Sequence, residues 1–246
     1  MKKTFPAMTN LKNLVFLDIE TVSGQPNFES LEPGMQALWE KKSNFLRRDE
    51  EIPLDKLYFD RAAIYSEFGK IICISVGILH YDKEEQLNIR IKSIKSDNES
   101  ELLNEFVTLL HEKMDENNIQ LCGHNAKEFD FPYICRRMII NGIALPPYLQ
   151  IAGKKPWEIK HLDTMEMWKF GDYKSYTSLA LLTEVFEIPS PKDDIDGSDV
   201  NRVYYHEEGL ERIAEYCNRD VLATAQVYLK IQALELITED HVIFVN

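Results

Sequence analysis

Nine consecutive apolar or small residues, Ile71–Leu79 (IICISVGIL), set the first constraint on this 246-residue chain. The run is far short of the roughly 20 residues a membrane-spanning helix needs, and no other window is longer. It lacks the three- and four-residue spacing of an amphipathic helix, so it reads as a central strand in a sheet covered on its faces. Around it the apolar period changes repeatedly. NLVFLDIETV, from Asn13 to Val22, begins as a buried strand, and QLNIRIKSI alternates as a more exposed neighbour. NESELLNEFVTLLHEKM has helical spacing, IQLCGHN is a short strand ending in polar residues, and FPYICRRMIINGI is a helix stopped by Asn141–Gly142. IKHLDTMEMW starts as another strand, TSLALLTEVFEI is a helix halted before Pro189 and Pro191, PSPKDDIDGSDV is a polar loop, and GLERIAEYCNRDVLATAQVYLKIQAL is the longest helix. Three strands followed by helix, strand, helix, strand, helix, helix predict an α/β fold, a mixed central β-sheet flanked by helices. No compositional break marks a linker, so residues 1–246 are expected to form one domain. A helical insertion at about 23–69 carries two predicted helices, MQALWEKKSNFL and LDKLYFDRAAIYSEF.

Lys and Arg number 28 against 41 Asp and Glu, a formal charge of −13. A protein that coats long stretches of nucleic acid is usually basic, so any nucleic-acid role here must work through a local contact or bound cations. The four cysteines, Cys73, Cys122, Cys135 and Cys217, form no CxxC pair and sit mostly among apolar residues. They read as buried free thiols of a reduced compartment. The opening MKKTFPAMTN has no long apolar core behind it, so no signal peptide is expected and the protein is read as cytoplasmic.

The chemistry lies in three stretches. In LDIET, strand alternation points Asp18 and Glu20 the same way at the end of a buried run. Two carboxylates so placed repel, and burial worsens it, so a positive partner is expected between them. CGHNAKEFDFPYICRRM places Asn125 and Asp130 at a strand end and a helix start; taken alone, Asp130 reads as a helix cap before Phe131–Pro132. In YCNRD, Tyr216 and Asp220 lie four apart on one helix face. Asp18, Glu20, Asp130 and Asp220 with one phenol suit a pair of hard divalent cations, and oxygen ligands select Mg2+ or Mn2+ over zinc. No His/Cys cluster competes for the metal.

LDIET, GHNAKEFDFPYICRR and YCNRDVLAT together resemble the three exonuclease motifs of the DEDD superfamily, and the Tyr-x-x-x-Asp spacing matches its DEDDy branch. Phe129–Asp130 with Pro132–Tyr133, and EFGKIICISVG, are most similar to the proofreading exonuclease domain of family B DNA polymerases; SLALLTEVFEI resembles the helix before the third motif. No polymerase domain follows, so the match is to stand-alone relatives of that domain. The resemblance implies a ribonuclease H-like fold and metal-dependent 3′–5′ hydrolysis of single-stranded DNA ends, releasing nucleoside 5′-monophosphates. RNA is the alternative substrate, and a catalytically silent nucleic-acid-binding module the alternative function. It implies that Asp18 bridges two metals, that Glu20 and Asp220 hold the one carrying the attacking water, that Asp130 steadies the second, and that Tyr216 orients the water. Asn125, Phe129 and Tyr133 are candidate substrate contacts, Asn125 to the substrate backbone unless it serves only its own loop, the two rings by stacking unless Phe129 is buried core. Asp163 is read as a helix cap or an accessory acid. Lys192 and Ser198 are possible contacts in a solvated loop, and Lys154, Lys155, Lys160, Lys169 and Lys174 are either a DNA-facing rim or ordinary surface.

Overall fold

The computed structural model describes residues 11–46, 52–172, 174, 176–189 and 195–245. Its first strand, β1 (Leu14–Ser23), is followed by α1 (Pro33–Leu46) and α2 (Leu54–Arg61). Next come β2 (Gly69–Tyr81), β3 (Leu87–Lys95), α3 (Glu99–Lys113), β4 (Gln120–Gly123) and α4 (Asp130–Ile140). The chain continues through β5 (Leu162–Asp163), α5 (Thr164–Lys169), α6 (Leu179–Val185), α7 (Val200–Glu207), α8 (Leu210–Ile231) and β6 (Val242–Val245). The strands form one mixed sheet in the order β5-β4-β1-β2-β3-β6. β2 is antiparallel to both β1 and β3, while β4 runs parallel to β1, β5 to β4 and β6 to β3. The expected α/β architecture, a mixed sheet with helices on its faces, is present.

Alternation along β1 divides the core. Val15, Leu17 and Ile19 face α3 and α4, packing with Phe106, Phe131, Ile134 and Met138. Leu14 and Phe16 face α8 and pack with Val221, Ala225, Tyr228 and Leu229. Asn98 caps α3 by accepting from the amides of Ser100 and Glu101 at 3.1 and 3.4 Å. α4 ends at the predicted stop, where Gly142 takes a left-handed φ of 70°. Burying Leu, Ile and Phe side chains stabilises by roughly 1.5–3 kcal/mol each, so these two layers supply most of the fold's driving force.

Four expectations need correction. The second insertion helix stops at Arg61 and gives way to a 3-10 turn at Ala62–Ile64. The reason is that the Ala63 carbonyl serves the sheet and α4, accepting from Thr21 Oγ1 at 3.0 Å and the Tyr133 hydroxyl at 2.8 Å. The strand expected from Ile159 shrinks to two residues because Asp163 caps α5 immediately after it. α7 was not expected: it buries only Val200, Asn201 and Val203, too few residues to show a period. Its Asn201 accepts from the Ser23 amide at 2.9 Å and donates to the Phe59 carbonyl at 2.8 Å, joining the end of β1 to the insertion. β6, four residues long, was also unanticipated. The insertion has its own aromatic core, in which Trp39 meets Phe68 and Tyr58 edge-on at 5.0 and 5.3 Å. Among the described residues no helix is long and apolar enough to cross a membrane.

Candidate active site

On the α8 face of β1, the apolar pairs mark the ends of an acidic gap. Phe16 meets Tyr228 with ring centroids 5.5 Å apart, and Val22 clusters with Ile213. Asp18 and Glu20 lie between them on the strand, and Tyr216, Cys217 and Asp220 lie between them on the helix. β1 slips register against β2 between Glu20 and Thr21, and such bulges re-aim side chains beside functional sites. Asp18, Glu20 and Cys217 each offer a ligand atom, all within 4.8 Å of one another. The Cys217 thiol donates toward both the main-chain carbonyl and Oδ2 of Asp18 at 3.4 Å. One thiol therefore joins the carboxylates, a neighbour that the sequence reading did not assign to them, and all four cysteines are free and buried as foreseen. The only hint in the sequence was the position of Cys217, next to Tyr216 and three before Asp220.

Asp130 arrives from the opposite layer. It is the first residue of α4, it is 4% exposed, and the Ile19 main-chain amide of β1 stabilises its charged form. The loop that delivers it turns sharply after β4. A Cβ at Gly123 would sit 2.4 Å from that of Ala126, and Asn125 adopts a left-handed φ of 63°. Asp163 clamps this loop. Its carboxylate accepts from the amides of Asn125 and Lys127, both at 3.0 Å, while also capping α5 through Met165 and Glu166. The cap was legible in the sequence; the clamp, which crosses from β5 to the loop after β4, was not.

The electrostatics are those of buried carboxylates crowded together. Burial, then repulsion from Asp220 and Asp130, raises the Asp18 carboxyl well above its ordinary range. Burial, then Asp18 and Asp220, does the same to Glu20. Burial, with Asp163 and Asp220 adding repulsion, brings Asp130 to about 7. Burial and the charges of Asp220, Glu20 and Asp18 push the Tyr216 phenol up, and its hydroxyl is hydrogen-bonded to Asp220. Burial also raises the Cys217 thiol. A divalent cation bound among these groups would relieve the repulsion between the carboxylates, and Asp18, Glu20 and Cys217 form a possible metal-binding group.

The remaining candidates separate. Asn125 stands at the loop turn with its side-chain oxygen buried and without a hydrogen-bond partner among the described residues. Phe129 is half-buried, with its ring 5.3 Å from that of Tyr133. Tyr133 is 1% exposed and spends its hydroxyl on Ala63, so its ring is core and not a stacking surface. Ser198 uses its hydroxyl within its own turn, on Asp196. Lys192 lies outside the described residues.

Comparison with known proteins gives the chain's family. Residues 64–241 match the family described as predicted 3′-5′ exonuclease related to the exonuclease domain of PolB. The matched span contains Asp130, Tyr216 and Asp220, while β1 with Asp18 and Glu20 precedes it. DNA polymerases of Desulfurococcus sp. (strain Tok) and Pyrococcus glycovorans are 28% and 27% identical over 198 and 202 residues. Those alignments take in 73% of this chain and 25% of each polymerase. The family B DNA polymerase of the hyperthermophilic archaeon Pyrobaculum calidifontis aligns at a TM-score of 0.47 and 14% identity, covering 88% of this chain and 24% of the polymerase. This chain thus spans about a quarter of the length of these relatives. It belongs to the family of predicted 3′–5′ exonucleases related to the exonuclease domain of PolB.

Proposed function

We propose that the chain hydrolyses the terminal phosphodiester at the 3′ end of single-stranded DNA, releasing nucleoside 5′-monophosphates. The observation that carries this reading is the gathering of Asp18, Glu20, Asp130 and Asp220 from three separate elements, with the carboxyls of the first three raised by burial and mutual repulsion. In this reading Asp18, Glu20, Asp130 and Asp220 hold two magnesium or manganese ions. Bound there, the ions would neutralise phosphate charge and lower the pKa of a coordinated water.

The chain's own residues do the rest. The Tyr216 phenol keeps its proton, because its surroundings oppose ionisation. It therefore acts as a hydrogen-bonding post that orients water, not as a base. Asp163 holds the loop from which Asp130 projects, so that Asp130 keeps its position against β1 when substrate arrives. Phe129, half-buried on the same loop, faces the terminal nucleotide, and Asn125 sets the turn that presents it. The test is incubation of 5′-labelled single-stranded DNA and RNA with the full chain in magnesium or manganese. Stepwise shortening from the 3′ end, stopped by chelator, with nucleoside 5′-monophosphate as product, is expected, and faster on DNA. Absence of release with either metal, or products bearing a 3′-phosphate, would overturn the proposal.

A further inference from the structure

The segment from Phe170 to Thr177 is fastened at both ends to the loop that carries Asn125 and Asp130. At its start, α5 is tied to that loop through Asp163, and Phe170 closes the helix with a φ of 44°. Left-handed backbone is uncommon for a residue with a bulky side chain. At its end, Thr177 is buried and its carbonyl accepts from His124 Nε2 at 2.9 Å, beside Asn125. Among the described residues of this segment, two rings are left in solvent. Phe170 is 84% exposed and Tyr176 is 69% exposed. Lys169 and Lys174 accompany them. Two of the flanking acids are engaged: Glu166 pairs with Lys127 at 2.5 Å, and Asp172 accepts from the main-chain amide of Lys174.

We infer that Phe170 and Tyr176 form a stacking platform for the bases of the single strand whose 3′ end enters the acidic centre, with Lys169 and Lys174 meeting its phosphates. This rests on the proposed function for the identity of the strand. Aromatic faces beside cations are how proteins hold single strands without reading their sequence. The charge supports the same occupant: a chain at −13 repels a polyanion except where cations are gathered locally. The lysines between Lys154 and Lys174 do not act as one patch. Lys154, Lys155 and Lys160, with Trp157 under Lys155 at 5.3 Å, lie at the other end of the strand pair, where Gln120 at the start of β4 donates to the Lys160 carbonyl. The acidic loop leaves β4 from its far end, at Gly123.

The experiment measures binding of a fluorescent single-stranded DNA of about ten nucleotides, a length that spans one such site. It uses the full chain with calcium replacing magnesium, so that the strand is not consumed. Phe170→Ala and Tyr176→Ala should each weaken binding on the order of tenfold. Tyr176→Phe, which keeps the ring, should bind as the wild type does. Trp157→Ala, at the distant patch, should also leave affinity unchanged. Unchanged affinity in both ring deletions overturns the platform, as does an equal loss in Trp157→Ala or in Tyr176→Phe. Mononucleotide release in magnesium is scored separately on the wild type. A protein that binds through these rings yet releases nothing would refute the proposed catalysis and leave the platform standing.

Discussion

Removing charge from the acidic centre should stabilise the metal-free protein, with a definite pH dependence. Burial moves the Asp130 carboxyl from 3.8 to about 7, with Asp163 and Asp220 adding repulsion. An acid whose folded pKa is raised contributes stability that is fully present below its unfolded pKa and is lost as pH rises through the folded value. For Asp130 that window runs from 3.8 to about 7. At about 1.4 kcal/mol per pH unit, the ceiling on this one group is about 4 kcal/mol. Asp18 and Glu20, also raised, extend the loss in the same direction. Asp130→Asn keeps the shape and abolishes the ionisation. In chelator near pH 8 the variant should be the more stable protein, by up to that ceiling, and near pH 4 the advantage should vanish. Thermal melts followed by circular dichroism read this directly, since each kcal/mol moves the midpoint by about 2–4 °C in a chain of this size. Magnesium should then favour the wild type more than the variant, because a ligand bound only by the native state stabilises it by mass action. A variant less stable than wild type in chelator near pH 8, or one that gains equally at both pH values, would refute repulsion and burial as the cause of the raised carboxyls.

Two further substitutions distinguish roles within the site. Tyr216→Phe should lower turnover by about 10²-fold or more, the usual cost of losing a hydrogen bond aimed at the reacting atoms, while manganese still binds. Asp220→Ala should lower both turnover and manganese affinity, as isothermal titration would show; equal loss of metal affinity in the two contradicts the assignment. Away from the site, Glu99→Ala should cost about 3–5 kcal/mol in urea denaturation. It strips the half-buried Arg137 of its 2.5 Å partner and the Ile71 amide of its acceptor, so a loss below about 1 kcal/mol would mean that water or a rearranged acceptor satisfies Arg137. Binding of single-stranded DNA, measured in calcium, should fall with a log–log salt slope of about −1.5 to −3, the value for two to four phosphate contacts. A slope of about −6 or steeper would instead indicate an extended basic track.

What the sequence displayed was whatever obeys a local period. Asp18 and Glu20 share a face because strands alternate, and Tyr216 and Asp220 share one because helices repeat every three to four residues. Both relations hold in the structure. So does the helix stop at Asn141–Gly142, which depends on one residue's access to positive φ. What stayed hidden depends on how elements approach one another. Cys217 enters the acidic cluster only because α8 lies close enough to β1 for its thiol to reach Asp18. Asp163 becomes a clamp only because β5 sits beside β4, placing Asp163 opposite Gly123. Tyr133 looked available for stacking from its motif, yet the insertion brings the Ala63 carbonyl over it and closes the ring into the core. α7 escaped notice because its hold on the fold is the polar bonding of Asn201 to Ser23 and Phe59 more than an apolar stripe.

The central claim, that residues from three elements converge to hold a pair of cations, is tested most directly by anomalous diffraction from crystals of the full chain grown with manganese. Two peaks about 4 Å apart are predicted, both touching Asp18, one also held by Glu20 and Asp220 and the other near Asp130. Manganese found elsewhere, such as on the exposed Asp196–Asp199 turn, with no peak at Asp18, would contradict it.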